Sequence, residues 1–412
     1  MKTDFDILIV GGGLVGASLA CALRDSGLSI GMIEAMTPAL SEKPGFDDRT
    51  LALAYGSRRI FEGLGVWNAI ADRGAAPIKR IHISDRGRFG ATRLHARDVG
   101  LDALGYVVSA PVLGTSLYHA IAGRSNIHVL SPATVLSVEI GDDAARVCVS
   151  AGGTEHDLRA RLVVAADGAN SPIREAAGIE ASRVDYGQTA IVSAVATEYA
   201  HEGTAYERFT ESGPLALLPA GSDYCAVVWT VAADQVDTVK AWDDETFRAK
   251  LQDCFGERLG RFLRVGKRQV HPLALTQVRE HVRPRLVIVG NAAHTVHPVA
   301  GQGFNLGLRD VATLAEVLTE AVHAGRDIGD LTGLRRYADW RARDNKVVST
   351  LTHSLIRVFS NDYWPVVCLR DAGLVAVDLL PPAKRGLIRV TSGLAGRLPR
   401  LACGLPLRMS AP

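Results

Sequence analysis

Asp6-Ile7-Leu8-Ile9-Val10-Gly11-Gly12-Gly13-Leu14-Val15-Gly16 begins as a short apolar run and empties into glycines. The run shows no alternation of apolar and polar residues, as expected of a parallel strand covered on both faces. Leu14 to Ser26 then reads as a helix ending near Gly27, and Leu28 to Glu34 as a second strand, so the chain opens with a βαβ unit. Gly11, Gly13 and Gly16 supply G-x-G-x-x-G between strand and helix, the context in which that pattern is informative. Without side chains, such a loop turns tightly and lets a pyrophosphate approach the backbone, where Leu14 and Val15 begin a helix whose first N–H groups are free. Glu34 closes the second strand, where a carboxylate can accept hydrogen bonds from both ribose hydroxyls. The unit predicts an adenosine dinucleotide with an unphosphorylated ribose, and by itself does not choose between FAD and NAD.

The stretch Ile7 to Leu23 is apolar enough to imitate a signal-peptide core or a short membrane span. Asp4 and Asp6 stand where a secretory segment carries positive charge, and four glycines weaken a membrane helix, so a buried strand followed by a helix is the better reading. The 412 residues allow two or three structural units at roughly 150 residues each. With 47% hydrophobic and 22% charged residues, the composition is that of a soluble globular protein, and a net charge of +2 gives no reason to expect a nucleic-acid partner. Cys21, Cys148, Cys225, Cys254, Cys368 and Cys403 form no close pair. That excludes a metal knuckle and a redox dithiol, and predicts free thiols in a reducing cytoplasm. His294 and His297 lack a nearby carboxylate or cysteine to complete a ligand set, so no metal site is expected.

Farther along, Arg80 to His95 alternates weakly, Leu113 to Arg124 reads as a helix, and Thr134 to Ile140, Arg146 to Ser150 and Leu158 to Ala165 read as strands. Ala190 to Val231 is β in character, with no regular helix, and predicts a separate sheet. A helix is expected over Asp244 to Phe255, a parallel-type strand over Arg285 to Val289 and a long helix from Asn305 to about Ala324. The tail beyond Ala338 is mostly helical by periodicity, broken at Pro381-Pro382.

Two later segments choose between the cofactors. Leu162 to Arg174 carries Ala165-Ala166-Asp167-Gly168 at a strand end; Arg285 to Gly307 carries Val289-Gly290-Asn291-Ala292-Ala293-His294 and Pro298-Val299-Ala300-Gly301-Gln302-Gly303-Phe304-Asn305. With the opening turn, these resemble the fingerprints of single-component FAD-dependent aromatic hydroxylases. The subgroup resemblance is to the 2-polyprenyl-6-methoxyphenol hydroxylases of ubiquinone synthesis, carried by Gly45-Phe46-Asp47-Asp48-Arg49, Glu207-Arg208-Phe209-Thr210, Gly213 to Pro219 and His297 to Asp310.

The resemblance implies a mixed α/β (α+β) architecture. It comprises a Rossmann-like FAD-binding domain of the p-hydroxybenzoate hydroxylase type, discontinuous over 1–75, 104–180 and 271–345, a β-sheet substrate domain over 76–103 and 181–270, and a helical C-terminus over 346–412. It implies that Asp167 touches FAD and the path of the nicotinamide cofactor, and that Asn291 with Pro298, Gly301, Gln302, Gly303 and Asn305 holds the ribityl chain and the ring. Most of the wider family has Asp where Asn291 stands; an amide still bonds a ribityl hydroxyl. Arg49 is placed to reach the pyrophosphate or the flavin edge, with a solvated surface arginine as the alternative. The tryptophans do not form the paired motif of the related flavin halogenases.

The chemistry implied is reduction of FAD by NAD(P)H, addition of O2 to give a C4a-hydroperoxide, and attack on its distal oxygen by a phenol ring. No side chain needs to act as nucleophile, and the sequence offers no acid/base dyad. Phe209, Leu215, Leu217, Trp229 and Phe304 are the expected substrate wall, with plain domain core as the other reading of each. A polyprenyl phenol is insoluble, which implies a meeting at the inner-membrane surface or through partner proteins. From Leu379 to Pro412 there are six basic residues (Lys384, Arg385, Arg389, Arg397, Arg400 and Arg408) and no acidic one, a composition suited to anionic lipid or to a partner, with a solvated basic terminus as the other reading.

Overall fold

The structure is a computed structural model that describes residues 3–298, 301–359 and 363–407. The strand Phe5–Val10 lies at the centre of an eight-stranded sheet, pairing in parallel with Ile30–Ile33 on one side and with Thr154–Ala165 on the other. All four residues of Ile30–Ile33 are buried, which explains the missing alternation: helices or loops cover both faces. Leu14–Leu23 is the crossover helix, packed against a second helix, Ala110–Ile121, and a third, Gln302–His323. Thr154–Ala165 has two roles. Its first half pairs antiparallel with Ala145–Ala151, its second half in parallel with Phe5–Val10 and Leu286–Ile288, and so it delivers Ala166-Asp167 beside the opening glycine turn.

The region of β character forms a nine-stranded sheet that includes Arg80–Asp85, Ala91–His95, Ala181–Thr197, Thr204–Thr210, Gly213–Pro219, Tyr224–Ala232 and Gln269–Val278. Its outer face is closed by the helix Asp244–Phe255, whose Phe247, Leu251 and Phe255 are buried against Ile191, Leu215, Leu217, Val227 and Trp229. Gln269–Val278 runs across the expected boundary at 271 and, with His294–Thr295, belongs to this sheet, because a single long strand ties the second sheet to the loop after Gly290.

A three-stranded sheet (Thr50–Ala54, Gly105–Ser109 and Ala76–Ile78) was not foreseen from sequence. It wedges between the two larger sheets, with Ile78 and Val107 against Ala205 and Ala226. The C-terminal part contains helices Leu331–Phe359, Trp364–Leu379 and Pro381–Thr391, the last two separated at the Pro381-Pro382 break. Proline at the first helical positions costs no hydrogen bond, so Pro381-Pro382 ends one helix and starts the next.

Candidate active site

The glycine turn is built by close backbone approach. A Cβ on Gly11 would lie 2.4 Å from the Ala166 carbonyl oxygen, and one on Gly16 would lie 1.9 Å from that of Gly11. Gly11 also has φ +102°, a conformation open to glycine. A Cβ on Gly13 would meet nothing within 4 Å, so that edge of the turn faces open space. The helix Leu14–Leu23 starts there without a side-chain cap and without an acidic residue in its first turn, which leaves its N–H groups and dipole for an anionic ligand. Val15 points the other way, under Gly290 and Gly307, and thereby brings the second glycine loop against the first.

Glu34 sits half-buried just past Ile30–Ile33 and accepts the Met36 N–H at 2.9 Å. Tyr118, which the sequence reading missed, donates its hydroxyl to the Gly12 carbonyl at 2.8 Å; burial first and then Glu34 push it up to about 12, so it remains a donor. The signal for Tyr118 was weak, since a tyrosine inside a helix 106 residues away carries no motif. Asp167 accepts the Ile173 N–H at 3.2 Å through Oδ2, while its Oδ1 is buried without a partner and burial raises the carboxyl. Asn291 is exposed in the turn Gly290–Ala292, beside the same opening.

Gly301, at φ +62°, precedes the 22-residue helix Gln302–His323, which again lacks a side-chain cap. The helix starts three residues earlier than expected. Asn305 is turned wholly into the protein: its Oδ1 accepts from the Ala54 N–H (2.8 Å) and the Ser57 hydroxyl (2.6 Å), and its Nδ2 donates to the carbonyls of Ala52 (2.9 Å) and Gly301 (2.6 Å). Its amide therefore clamps the loop onto the three-stranded sheet and is not available to a ligand. Gln302 is likewise buried, donating to the Thr391 carbonyl at 3.2 Å. What this loop presents is backbone, at Gly301 and Gly303; Val299 and Ala300 fall outside the described residues.

Behind the loop lies a buried ionic network. Asp310, with no exposed surface, accepts from Gly290 N–H (3.0 Å), His294 Nε2 (2.7 Å) and Arg341 Nε (2.7 Å), and Arg341 also pairs with Asp344. Burial pushes the Asp310 carboxyl up, but His294 and Arg341 outweigh it and hold it well below the ordinary range. His294 is thus structural, and His297 packs edge-on to Tyr186 at 5.4 Å. Among the described residues no group of three or more His, Cys, Asp or Glu could hold a metal. Arg49 is exposed; its charge, after burial, helps to lower His271 on the facing sheet.

The expected substrate wall needs correction. Strand side chains alternate between faces, and Leu215, Leu217 and Trp229 point outward into the core beneath Asp244–Phe255, so none of them faces the loop. The inward positions on those strands are Ala216 and Val228, one residue away. Phe209 does face inward, stacked at 3.6 Å on Phe359, and Phe304 packs on the core below the first sheet.

A glycine cradle at an uncapped helix start, a carboxylate just past the second strand, an unpartnered buried Asp167 oxygen and a second backbone loop at another helix start fit FAD. Together with the inward face of a large second sheet, they define a flavoprotein monooxygenase. The family model for the FAD binding domain matches residues 4–345. The ubiquinone hydroxylase UbiL of Rhodospirillum rubrum is 39% identical over 406 residues, 98% of this chain and 93% of that protein; the 3-demethoxyubiquinol 3-hydroxylase of Escherichia coli K12 is 31% identical, covering 94% and 98%. Among solved structures, p-nitrophenol 4-monooxygenase PnpA from Pseudomonas putida DLL-E4 shares the fold with a TM-score of 0.80 at 18% identity, over 96% of this chain and all of that one. The chain belongs to the FAD-dependent aromatic hydroxylases, in the ubiquinone-biosynthesis hydroxylase family.

Proposed function

We propose that the protein hydroxylates the aromatic ring of a polyprenyl phenol of the 2-polyprenyl-6-methoxyphenol type, using NAD(P)H and O2. FAD, when bound, supplies the activation of dioxygen that ring hydroxylation requires. Gly11, Gly13, Gly16 and the N–H groups of Leu14 and Val15 hold its pyrophosphate, Glu34 its ribose, Asp167 and Asn291 its middle, and the backbone of Pro298, Gly301 and Gly303 the ring, with Arg49 at the edge. Gln302 and Asn305 act from behind, by fixing that loop.

The observation that carries this reading is a row on the inner face of the second sheet. Ile83, Glu207, Ala216, Val228 and Val192 are paired strand to strand, and all but Glu207 are apolar. Ile83, Val228 and Val192 keep accessible surface although Ala205, Ala226 and Ala194 on one side and Phe209, Pro214, Thr230 and Ala190 on the other are buried. Surface in the middle of a buried face means a hollow, here apolar but for Glu207 and flanked by the three-stranded sheet, whose Val107 packs with Ala205 and Ala226. Such a space suits a greasy aromatic and excludes the water that would divert activated oxygen to peroxide. The test supplies the purified flavoprotein with NAD(P)H and a short-chain 2-polyprenyl-6-methoxyphenol, and follows product by mass spectrometry. Gain of one oxygen per NAD(P)H consumed is expected; peroxide release without product from any phenol contradicts it.

The substrate's tail assigns a role to the C-terminal helices. Among the described residues no helix is long and apolar enough to cross a membrane. Lys384 is bound to Asp378 at 3.1 Å, Arg397 lies over the Trp340 ring and Arg400 is bonded to the Pro406 carbonyl, while Arg408 falls outside the described residues. Arg385 and Arg389 are left exposed beside a helix that shows Trp364, Leu369 and Leu379 to solvent. This face is proposed to rest on anionic lipid and admit the tail. Trp364→Ala with Leu369→Ala is expected to lower binding to vesicles containing phosphatidylglycerol; unchanged binding removes the proposal.

A further inference from the structure

Glu207 interrupts the apolar row of the inner face. It stands between Ile83 on one neighbouring strand and Ala216 on the other, in register with both. It keeps partial accessible surface although Ala205, Phe209 and Ala216 around it are buried, which is the condition of a side chain that lines an internal space. Among the described residues its carboxylate has no hydrogen-bond or salt-bridge partner. Buried carboxylates without partners are costly, and a structural one acquires a partner, as Asp85 on the same face has in Arg370 at 2.6 Å. A carboxylate left open toward a ligand space is a candidate for work on the ligand.

From this placement we infer that Glu207 is the proton acceptor for the substrate's phenolic hydroxyl. The inference rests on the proposed function and adds to it the acid/base residue that the sequence did not reveal. As the ring attacks, the phenolic O–H bond breaks, its proton moves to a Glu207 oxygen, and the electron pair remains on the phenolic oxygen to enrich the ring carbons ortho and para to it. When the new C–O bond has formed and the ring carbon loses its hydrogen to solvent, Glu207 returns its proton to the former phenolic oxygen. The carboxyl ends as it began.

No other ionisable group lies in Glu207's row; His271 shares the inner face but stands in the neighbouring row, opposite Ala190, where burial and then Arg49 lower it. The strand Gly213–Pro219 has none, and Tyr206 and Arg208 on Glu207's own strand face outward. On the inner face of the neighbouring strands, Asp85 is paired with Arg370, and Tyr224 lies at the far end against Phe46 at 5.2 Å. Of the three-stranded sheet, Tyr106 points away and is bonded to Asp102. The helix Pro381–Thr391, whose Ile388 belongs to the cluster on which Ile83 packs, carries Lys384, bound to Asp378, and Arg385 and Arg389, exposed. Burial alone therefore sets the carboxyl, raising it from 4.5 to about 7, where it can both accept and return a proton at working pH.

The experiment compares the wild-type holoenzyme with Glu207→Gln and Glu207→Asp, each assayed for coupled hydroxylation from pH 5.5 to 9. Bound FAD, and its reduction by NAD(P)H, serve as controls for an intact fold. The wild type is expected to gain kcat with rising pH through an inflection near 7. Glu207→Gln should lose that inflection and about a hundredfold in kcat with KM changed little, and Glu207→Asp should recover part of the rate. A phenol ionised below pH 7 should narrow the gap between wild type and Glu207→Gln. If Glu207→Gln retains its flavin, the inflection and a rate within threefold of wild type, the inference falls while the proposed function stands. If the wild type hydroxylates no phenol, the proposed function has failed first.

Discussion

Replacing Asp310 tests whether the loop proposed to cradle the flavin is held from behind. Asp310 has no exposed surface and receives hydrogen bonds from Gly290 at 3.0 Å and from His294 and Arg341 at 2.7 Å each. In Asp310→Ala these donors lose their acceptor, and the Arg341 guanidinium is left with Asp344 as its carboxylate partner. Breaking a buried pair by removing one member costs about 3–5 kcal/mol when the other charge is left wholly unpaired; with Asp344 still on Arg341, a loss near the low end of that range is expected. Against a total stability of roughly 5–15 kcal/mol, that is a large fraction. Removing both members in Asp310→Ala/Arg341→Met removes the half-compensated guanidinium and leaves Asp344 on Arg309, so the double variant should lose less than the sum of the singles. The sign with pH follows from the depressed carboxyl. Its contribution is present above the ordinary value of 3.8 and fades as pH falls below it, so the gap between wild type and Asp310→Ala should be constant from pH 6 to 9 and shrink in acid. Urea unfolding with retained FAD read in parallel gives both numbers. A loss under about 1 kcal/mol, or strict additivity in the cycle, refutes the reasoning.

Three further outcomes are expected. Gly16→Ala places a methyl 1.9 Å from the Gly11 carbonyl oxygen, so the turn must open and the purified variant should carry far less FAD by absorbance at full yield of folded protein. Asn305→Ala strands the buried Ser57 hydroxyl and the part-buried Ala54 N–H and frees Gly301; at about 1–3 kcal/mol for an unsatisfied buried group, a matching drop in urea midpoint is expected, together with faster flavin loss on dilution. Glu207→Gln should alter stability in a pH-dependent way: a carboxyl raised from 4.5 to about 7 contributes fully below its unfolded value and is penalised as pH rises through 7, so the glutamine variant should gain up to about 3 kcal/mol over wild type by pH 9 in substrate-free protein. Parallel unfolding curves at pH 5 and 9 check it.

Much of the nucleotide half was legible because its signals are local. A parallel strand emptying into Gly11, Gly13 and Gly16, with Glu34 one strand later, fixes a βαβ unit within 34 residues. The helix from Gln302 and the break at Pro381-Pro382 were local as well. What escaped was set by distant pairing. Thr50–Ala54 and Gly105–Ser109 are neighbours across half a hundred residues, and the short run Thr50–Ala54 has no alternation to betray it. The substrate wall failed by parity: Leu215, Leu217 and Trp229 are the more hydrophobic set, and the larger residues went to the closed core under Asp244–Phe255, leaving small Ala216 and Val228 for the hollow. A one-residue shift in reading a strand exchanges its two faces. Glu207 lay in a quoted motif, yet only the register showed that it faces inward; Asn305 lay in another, and only its four bonds showed that it is structural.

The central claim is that a cradle of backbone turns holds FAD against a dry apolar hollow in which a phenol ring is oxidised. The most direct measurement is the ratio of hydroxylated product to NAD(P)H consumed by the FAD-loaded protein with a prenylated methoxyphenol. A ratio near one, falling toward zero as peroxide appears when Val228 is replaced by Asp to wet the hollow, is the predicted result. A protein that takes up no flavin, or that consumes NAD(P)H with the ratio at zero from the start, contradicts it.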